Sequence, residues 1–178
     1  MKKLLLILSV SVIVISCNNG NKEKENIRYS QDSKEISSLK AVIQTYEDGD
    51  WQAYEKYYAD TAQIFHNTTE GLSYKQAAET HKNNVADLSS YGFEDEEDDF
   101  EMVVTDDNET WVNYWGTWKG TIESNEKEII IPVHLTARFI DGKIVREYGY
   151  WDNSEMMMAM QEMDSIMVDQ DSLNKPKN

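Results

Sequence analysis

Two carboxylates near the end of one strand-like segment, "GKIVREYGYWD" at residues 142–152, are suited to acid–base chemistry. They are Glu147 and Asp152. A carboxylate whose pKa is raised by burial can remove a proton next to a carbonyl group. In a regular strand the two residues lie on opposite faces, with Trp151 on the face of Glu147, so only one acid is expected to face a cavity. A bulge between them would change this parity. Asp152 also stands just before a helix-like segment, and we favour a capping or surface role for it.

Histidine readily moves protons near neutral pH, and the chain contains 3 histidines. His66 follows an apolar pair and is a candidate proton shuttle. His81 lies on the apolar face of a predicted helix, where a hydrogen-bonded core histidine is expected. His134 shares a strand face with Arg138, opposite the apolar set, and is expected on the outer face. Their spacing matches no zinc or iron motif, so neither a metal site nor a cofactor is predicted.

Aromatic residues are concentrated in "WVNYWGTW", residues 111–118. In a strand Tyr114 and Trp115 fall on opposite faces. Aromatic walls with a few polar groups suit a small apolar or ring-shaped ligand, whereas core packing with a dimer face is the alternative. The predicted ligand-binding residues are Tyr58, Tyr114, Trp115 and Trp151.

Helical signals dominate the first half of the chain. Apolar residues recur at helical spacing from about Lys34 to Asp48, after a capping residue at Asp32 or Ser33. A short second helix is predicted over residues 51–58, capped by Asp50. Ser73 and Gln76 form a capping box, and this predicts a third helix that reaches about Ser90.

Strand signals dominate the second half. Four segments are rich in Val, Ile, Thr and aromatic residues, and turn signals separate them. One of these turns, Asp141-Gly142, is a strong hairpin signal. Helices followed by a β-meander predict an α+β fold with helices packed on one face of an antiparallel sheet. A methionine-rich terminal helix is expected over residues 153–168, where it would cover a cavity mouth or pair with another chain. Residues 169–178 are predicted to be a disordered tail.

The N-terminus has the form of a secretory signal, with a basic start and an apolar run from Leu4 to Ile15. That run is shorter than the roughly 20 residues that span a bilayer. The run ends in Val14-Ile15-Ser16-Cys17, which resembles the lipobox of bacterial lipoproteins. The resemblance implies a signal peptide over residues 1–16 and acylation of Cys17. The membrane lipid is then a partner, and Asn18 resembles a signal for the outer membrane. Residues 17–33 are polar and predicted to be a tether.

The chain is strongly acidic, with a formal net charge of -16. This charge repels nucleic acid and anionic membrane surfaces, so no nucleic-acid partner is predicted. The run "EDEEDD" at residues 94–99 lacks the alternating ligands and turn glycine of a dedicated calcium loop. We interpret it as a solvated acidic loop.

Three segments together resemble the nuclear transport factor 2-like superfamily and, within it, the SnoaL-like polyketide cyclase branch. They are "DGDWQAYEKYYADTAQIFHN", "EGLSYKQAAETH" and "ARFIDGKIVREYGYWD". The resemblance covers residues 34–152 and implies a cone of curved antiparallel sheet closed by three helices, with a pocket at its wide end. It also implies a pocket-facing polar residue near His66. The final acid of the branch pattern matches Asp152. The catalytic acid in the middle of the strand falls on Gly149, and the pattern's histidine falls on Glu147.

These observations leave three functional hypotheses for a domain that spans residues 34–168. The one favoured by the missing middle acid is a non-catalytic module that binds an apolar small molecule. The second is an isomerase, cyclase or dehydratase that acts on an apolar ring substrate, with Asp152 or Glu147 as base and His66 and a tyrosine as hydrogen-bond donors. The third is an assembly module that forms a homodimer through its outer sheet face. The enzyme requires a buried acid within hydrogen-bonding reach of His66 or Tyr58 inside one cavity.

Overall fold

A computed structural model describes residues 28–94 and 98–162 and shows an α+β fold. The helices are α1 (Lys34–Glu47), α2 (Trp51–Glu55), α3 (Tyr74–Asn84) and, over residues 154–162, α4. The strands are β1 (Tyr29–Ser30), β2 (Tyr58–His66), β3 (Leu88–Phe93), β4 (Asp99–Val104), β5 (Thr110–Ile122), β6 (Glu128–Ile140) and β7 (Lys143–Trp151). Within the described residues, no helix has the length and apolar character needed to cross a membrane.

Several sequence predictions lie outside the described residues. They are the signal peptide, Cys17, the tether up to residue 27, residues 95–97 of the acidic run, and everything after residue 162. Residues 29 and 30, which fall within the predicted tether, form β1 and pair with β4.

The helices begin where their capping residues predict. The Ser33 side chain accepts the backbone N–H of Ile36 and starts α1, whose buried face packs on the sheet. Asp50 caps α2 in the same way, through the N–H of Ala53. The predicted capping box of α3 is confirmed, since Ser73 and Gln76 satisfy each other's backbone groups.

Two helix ends differ from the prediction. The third helix was expected to reach Ser90, but α3 ends at Asn84 and the chain turns into β3. These residues form a strand and not a helix because β3 pairs antiparallel with the second half of β5. This contact is non-local, so helical periodicity in the sequence does not reveal it. Likewise, α2 ends at Glu55, and Tyr58 already belongs to β2.

The sheet has 7 strands, in the order β1-β4-β5-β6-β7-β2, with β3 also pairing β5. All pairs are antiparallel except β2 with β7, which run parallel. The purely antiparallel sheet expected from the sequence is therefore corrected at this edge. The turn between β6 and β7 is the predicted hairpin. Asp141 and Gly142 have φ of 51° and 76°, the left-handed pair of a tight two-residue turn.

The inner face of the sheet carries two apolar clusters. The larger lies between the sheet and helices α1 to α3, and includes Leu39, Ile64 and Tyr114. The smaller lies where β5 meets β6, around Trp118 and Ile129, and is closed by Ala159 of α4. Helix α4 thus packs across one end of the sheet, and the space between the clusters is where the site lies.

Candidate functional site

A buried carboxylate forms the centre of the site. Glu147 is 2% exposed, and among the described residues it is the only charged one that is buried. Its Oε1 lies 2.8 Å from His66 Nε2, and its Oε2 accepts a hydrogen bond of 2.9 Å from the Tyr58 hydroxyl. A carboxylate in the protein interior is stable only when such donors compensate its lost hydration. Each oxygen of Glu147 therefore has one hydrogen-bond partner.

The parallel pairing of β2 with β7 brings these residues together. In that ladder Ile64 lies beside Glu147, and His66 lies beside Gly149. Residues two apart in a strand share a face, so His66 and Glu147 both project to the inner side and meet along the diagonal. Tyr58 reaches the same carboxylate from the start of β2, beyond a register shift in the ladder.

A second tyrosine extends the hydrogen-bond chain. The hydroxyls of Tyr54 and Tyr58 are 2.9 Å apart and buried. Since a hydroxyl carries one proton and Tyr58 directs its own to Glu147, Tyr54 is the donor in this contact. Burial, followed by the nearby Glu147 charge, raises the pKa of both tyrosines well above the usual value. Both stay protonated and able to donate at any physiological pH.

Gly149 provides the space in which the histidine sits. A Cβ at this position would lie 2.6 Å from His66 Cδ2 and 2.6 Å from Trp151 Cζ3. Any side chain would thus displace the ring that contacts Glu147. The space beside Gly149 is filled by the ring of His66, which reaches in from the neighbouring strand.

The geometry of the ring also defines what His66 offers to a ligand. Its Nε2 faces Glu147, and its Cδ2 faces Gly149. Nδ1 lies on the opposite side of the five-membered ring, and within the described residues it makes no hydrogen bond. If the Nε2 proton is bonded to Glu147, Nδ1 is an unprotonated acceptor.

Asn67 holds the end of β2 against the end of β7. Its side-chain amide donates to the Trp151 carbonyl at 2.9 Å and accepts the Trp151 N–H at 3.2 Å. Its own backbone N–H donates to the Gly149 carbonyl at 2.9 Å. These three bonds fix the position of the neighbouring His66.

The carboxylate and histidine line an open cavity of about 570 Å³. Its walls are mainly apolar and aromatic, and Asn83, Asn84 and Asp87 add polar groups. Helix α4 contributes Met156, Met157 and Met160 to the wall. No lysine or arginine is among the described residues that line it. A cavity of this size and composition is suited to a small apolar ring compound.

The predicted site residues divide into two groups. Tyr58, His66, Glu147 and Trp151 all line this cavity. The other three predicted residues, Tyr114, Trp115 and Asp152, do not.

Tyr114 and Trp115 lie away from the cavity for different reasons. Tyr114 is fully buried in the larger cluster, where its hydroxyl donates to Asp98. Trp115 is 43% exposed on the outer face and stacks on His134, which in turn lies beside Tyr150. The outer placement predicted for His134 is confirmed.

Asp152 has the capping role that we favoured. Its side chain accepts the backbone N–H of Ser154 at the start of α4, at 2.9 Å. Hydrogen bonds from the Ser154 side chain and backbone lower the pKa of Asp152, which is fully exposed. An acid of lowered pKa in water is a poor base, so Glu147 is the candidate acid of this strand.

Several cavity residues were not predicted from the sequence. Tyr46, Tyr54 and Trp118 line it, and the Trp118 indole donates to the Tyr46 hydroxyl at 2.9 Å. Their helical or strand spacing marked them only as buried. His81, interpreted as a core residue, also lines the cavity. Within residues 28–94 and 98–162, no group of three or more His, Cys, Asp or Glu side chains is arranged to hold a metal ion.

No protein-family model matches this sequence, and no curated protein matches it. Solved structures do. A candidate polyketide cyclase from Xanthomonas campestris matches with a TM-score of 0.57 and 16% identity, over 71% of this chain and 96% of that one. A candidate SnoaL-like polyketide cyclase from Shewanella denitrificans matches with a TM-score of 0.57 and 15% identity, over 74% and 99%.

A third match is a protein of ketosteroid isomerase-like fold from Catenulispora acidiphila, solved in complex with trimethylamine. Its TM-score is 0.51 and its identity 11%, over 64% of this chain and 83% of that one. At such identities the likeness concerns the fold alone. The predicted SnoaL-like α+β fold, with a C-terminal helix, is confirmed.

Proposed function

We propose that this protein is an acid–base enzyme of the isomerase, cyclase or dehydratase type, which acts on an apolar ring substrate. The observation that carries the proposal is the contact of His66 and Tyr58 with the buried Glu147 inside an open, mainly apolar cavity. The non-catalytic module favoured from the sequence needs the cavity without this constellation. The enzyme hypothesis, which needs both, is therefore the better supported of the two.

His66 is the residue that touches the substrate in this proposal. Its side chain is 11% exposed against 3% for Glu147, and its Nδ1 has no partner among the described residues. Nδ1 removes a proton from a carbon next to a carbonyl group. The Nε2–H bond to Glu147 orients the ring, and the carboxylate stabilises the imidazolium that forms. This assigns His66 the role of base and Glu147 that of positioning residue, whereas the sequence hypothesis had Asp152 or Glu147 as base and His66 as a hydrogen-bond donor.

Tyr54 and Tyr58 orient the Glu147 side chain. Their hydroxyls form a relay of two hydrogen bonds that ends on the carboxylate. The shared fold supports the same class of chemistry, because two of the matching structures are described as candidate polyketide cyclases and one as ketosteroid isomerase-like. Isomerisation and ring closure both begin with the proton transfer proposed for His66.

Deuterium uptake from solvent tests this proposal before a natural substrate is known. The purified domain is mixed in D₂O with 2-tetralone, a ring ketone with exchangeable protons beside its carbonyl, and the loss of their NMR signal is followed. We expect exchange above the buffer rate. Both H66Q and E147Q should lower the protein-dependent rate by about 100-fold or more, the usual contribution of a general base.

D152N is the matched control. It removes the other acid of the same strand but keeps an amide oxygen that can accept the Ser154 N–H, so exchange should stay at the wild-type rate. Absence of protein-dependent exchange with 2-tetralone and with a panel of other ring ketones would contradict the proposal. Equal exchange in wild type and E147Q would do so too.

We further propose that the domain is held at the cell envelope, in the outer membrane, through an acylated Cys17. The support is the sequence alone: a basic start, an apolar run and the only cysteine at its end. Two or more acyl chains on that residue would anchor the protein stably. The homodimer predicted from the sequence also stays a prediction. The cross-strand row of Trp115, His134 and Tyr150 on the outer face is its proposed interface.

A further inference from the structure

His81 is a cavity residue that the proposed base and its partners do not use. It projects from α3, lines the cavity, and its ring centroid lies 5.0 Å from that of His66. Tyr46 and Tyr54 present their rings nearly perpendicular to it, at centroid distances of 5.4 Å and 6.1 Å. These contacts hold the imidazole between two aromatic walls.

The polar atoms of His81 lack partners in the protein. Within the described chain, neither ring nitrogen makes a hydrogen bond. A neutral imidazole has one N–H donor and one acceptor nitrogen, and both are available to a ligand in the cavity. The hydrogen-bonded core histidine expected from the sequence is thus corrected to a half-buried histidine that faces a cavity.

His81 is neutral under all physiological conditions. Burial, followed by the nearby His66, lowers the pKa of its side chain to about 3. A neutral imidazole can donate its N–H to a carbonyl oxygen without giving up the proton, and it can stabilise the negative charge that develops there.

We propose that His81 binds the carbonyl oxygen of the substrate, so that the substrates of this site are uncharged ring ketones whose acidic C–H bond lies next to that carbonyl. The inference rests on the proposed function, because it supplies the second group that enolisation needs. The rings of His66 and His81 lie side by side and can contact two adjacent groups of such a substrate. The α-carbon then faces His66 Nδ1, and the carbonyl oxygen faces the N–H of His81.

The step conserves protons and electrons. His66 Nδ1 takes the α-proton and becomes an imidazolium paired with Glu147. The electrons of the broken C–H bond form the C=C bond of an enolate, and the former carbonyl electrons move to the oxygen that accepts the hydrogen bond from His81. The imidazolium then returns the proton to the same carbon or to another one. No oxidant, reductant or metal ion is required.

The described lining of the cavity contains no lysine or arginine, and this favours an uncharged substrate. An anionic substrate would bring its charge near Glu147 and Asp87 with no cation to compensate. The net charge of -16 adds to this repulsion. Binding of free carboxylates and phosphate monoesters is therefore disfavoured, and binding of uncharged ketones is favoured.

A binding measurement tests the role of His81 without turnover. The probes are 2-acetylnaphthalene and 2-ethylnaphthalene, which have nearly the same shape and differ in the carbonyl oxygen. Calorimetry gives the ratio of their dissociation constants for wild type, H81F and H81Q. Comparing ratios cancels the difference in hydrophobicity of the probes and any general loosening of the cavity.

We expect H81F to weaken the binding of 2-acetylnaphthalene about tenfold relative to that of 2-ethylnaphthalene, which corresponds to the loss of one good hydrogen bond. H81Q keeps an N–H donor and should restore most of the ketone binding. A ratio that is the same in wild type and H81F overturns the inference. The ¹³C resonance of a labelled carbonyl, measured on wild type, should also move downfield on binding. An unchanged resonance overturns the inference even where a variant fails to fold.

The two proposals fail separately. If neither 2-tetralone nor the panel of other ring ketones shows protein-dependent exchange but the ratio of dissociation constants depends on His81, the proposed enzyme fails and the ketone site stands. If exchange depends on His66 and Glu147 but the ratio of dissociation constants is the same in wild type and H81F, the proposed enzyme stands and the proposed role of His81 is wrong.

Discussion

At the scale of single residues, the geometry of the site depends on the absence of a side chain at Gly149. Gly149 allows the His66 ring to reach Glu147, with Trp151 packed on its other side at a centroid distance of 5.2 Å. The contact between His66 and Glu147 thus joins two neighbouring strands, and it is the acid–base pair of the proposed enzyme. The pair depends on close packing, and small changes in volume should disturb it.

The variant G149A should lower the 2-tetralone exchange rate by at least tenfold. Its methyl group would stand 2.6 Å from His66 and 3.0 Å from Leu135, so the histidine must move away from Glu147. NMR exchange measures the rate, and a thermal melt measures stability. G142A is the control: it strains a turn with φ of 76° but meets no neighbouring atom, so it should lose stability and keep activity. Full activity in G149A would contradict the packing argument.

His81 should make the protein less stable in acid. Its pKa is about 3 in the folded state and near 6.5 when unfolded, so below pH 6.5 the unfolded chain binds a proton that the native chain does not. Stability is lost at about 1.4 kcal/mol per pH unit as the pH falls from 6.5 towards 3, or about 2 kcal/mol at pH 5.

Urea unfolding of wild type and H81Q between pH 7 and pH 4.5 measures this effect. The difference between the two proteins isolates His81 from the other titratable groups of the chain, which include the neighbouring His66 and Glu147. H81Q should lose less stability on acidification than wild type. Parallel pH profiles would mean that the pKa of His81 is the same in the native and unfolded states, and would contradict this prediction.

At the scale of elements, α4 forms part of the cavity wall although it follows the sheet in sequence. Ala159 is 1% exposed and packs in the smaller cluster with Trp118 and Ile131, and this contact presents the methionines of the helix to the cavity. Methionine side chains adapt to irregular shapes, so this wall can follow the outline of different ring compounds.

A159D should detach α4 and weaken the binding of 2-acetylnaphthalene by tenfold or more, because a buried unpaired carboxylate is unstable in the cluster. Calorimetry gives the affinity. M158D introduces the same charge one residue earlier, on a side chain that is 60% exposed, and should bind the probe as wild type does. If both variants bind equally well, α4 is not a functional wall of the cavity.

At the scale of the whole molecule, the charge and the proposed anchor would together decide where the domain acts. A strongly acidic domain on a lipid tether stays off anionic membrane surfaces while its cavity remains open to small uncharged compounds. Such compounds cross the outer layers of a cell more readily than charged ones.

Expression of the full chain in a bacterial host, fed an alkyne analogue of palmitate, tests the anchor. Wild type should carry the label and sediment with membranes. C17S should lose the label and be recovered in the soluble fraction of the envelope. C17S remains matched in every other residue, so unlabelled wild type, or label that persists in C17S, would contradict lipidation at Cys17.

The sequence alone determined the class of fold, and it did so through local physics. The capping residues Ser33 and Asp50, the capping box at Ser73, and the hairpin turn at Asp141-Gly142 all act within a few residues of themselves. Strand alternation is local in the same way, and it suffices to place Glu147 and Tyr150 on opposite faces of β7.

Only the tertiary structure decided which groups meet. His66 and Glu147 are 81 residues apart, and Tyr58 and Glu147 are 89 apart. The parallel pairing of β2 with β7 that joins them leaves no periodic pattern in the sequence, since a strand does not record its partner. Tyr114 and His81 were misplaced for the same reason, because periodicity reports that a side chain is buried and not whether it faces a core or a cavity.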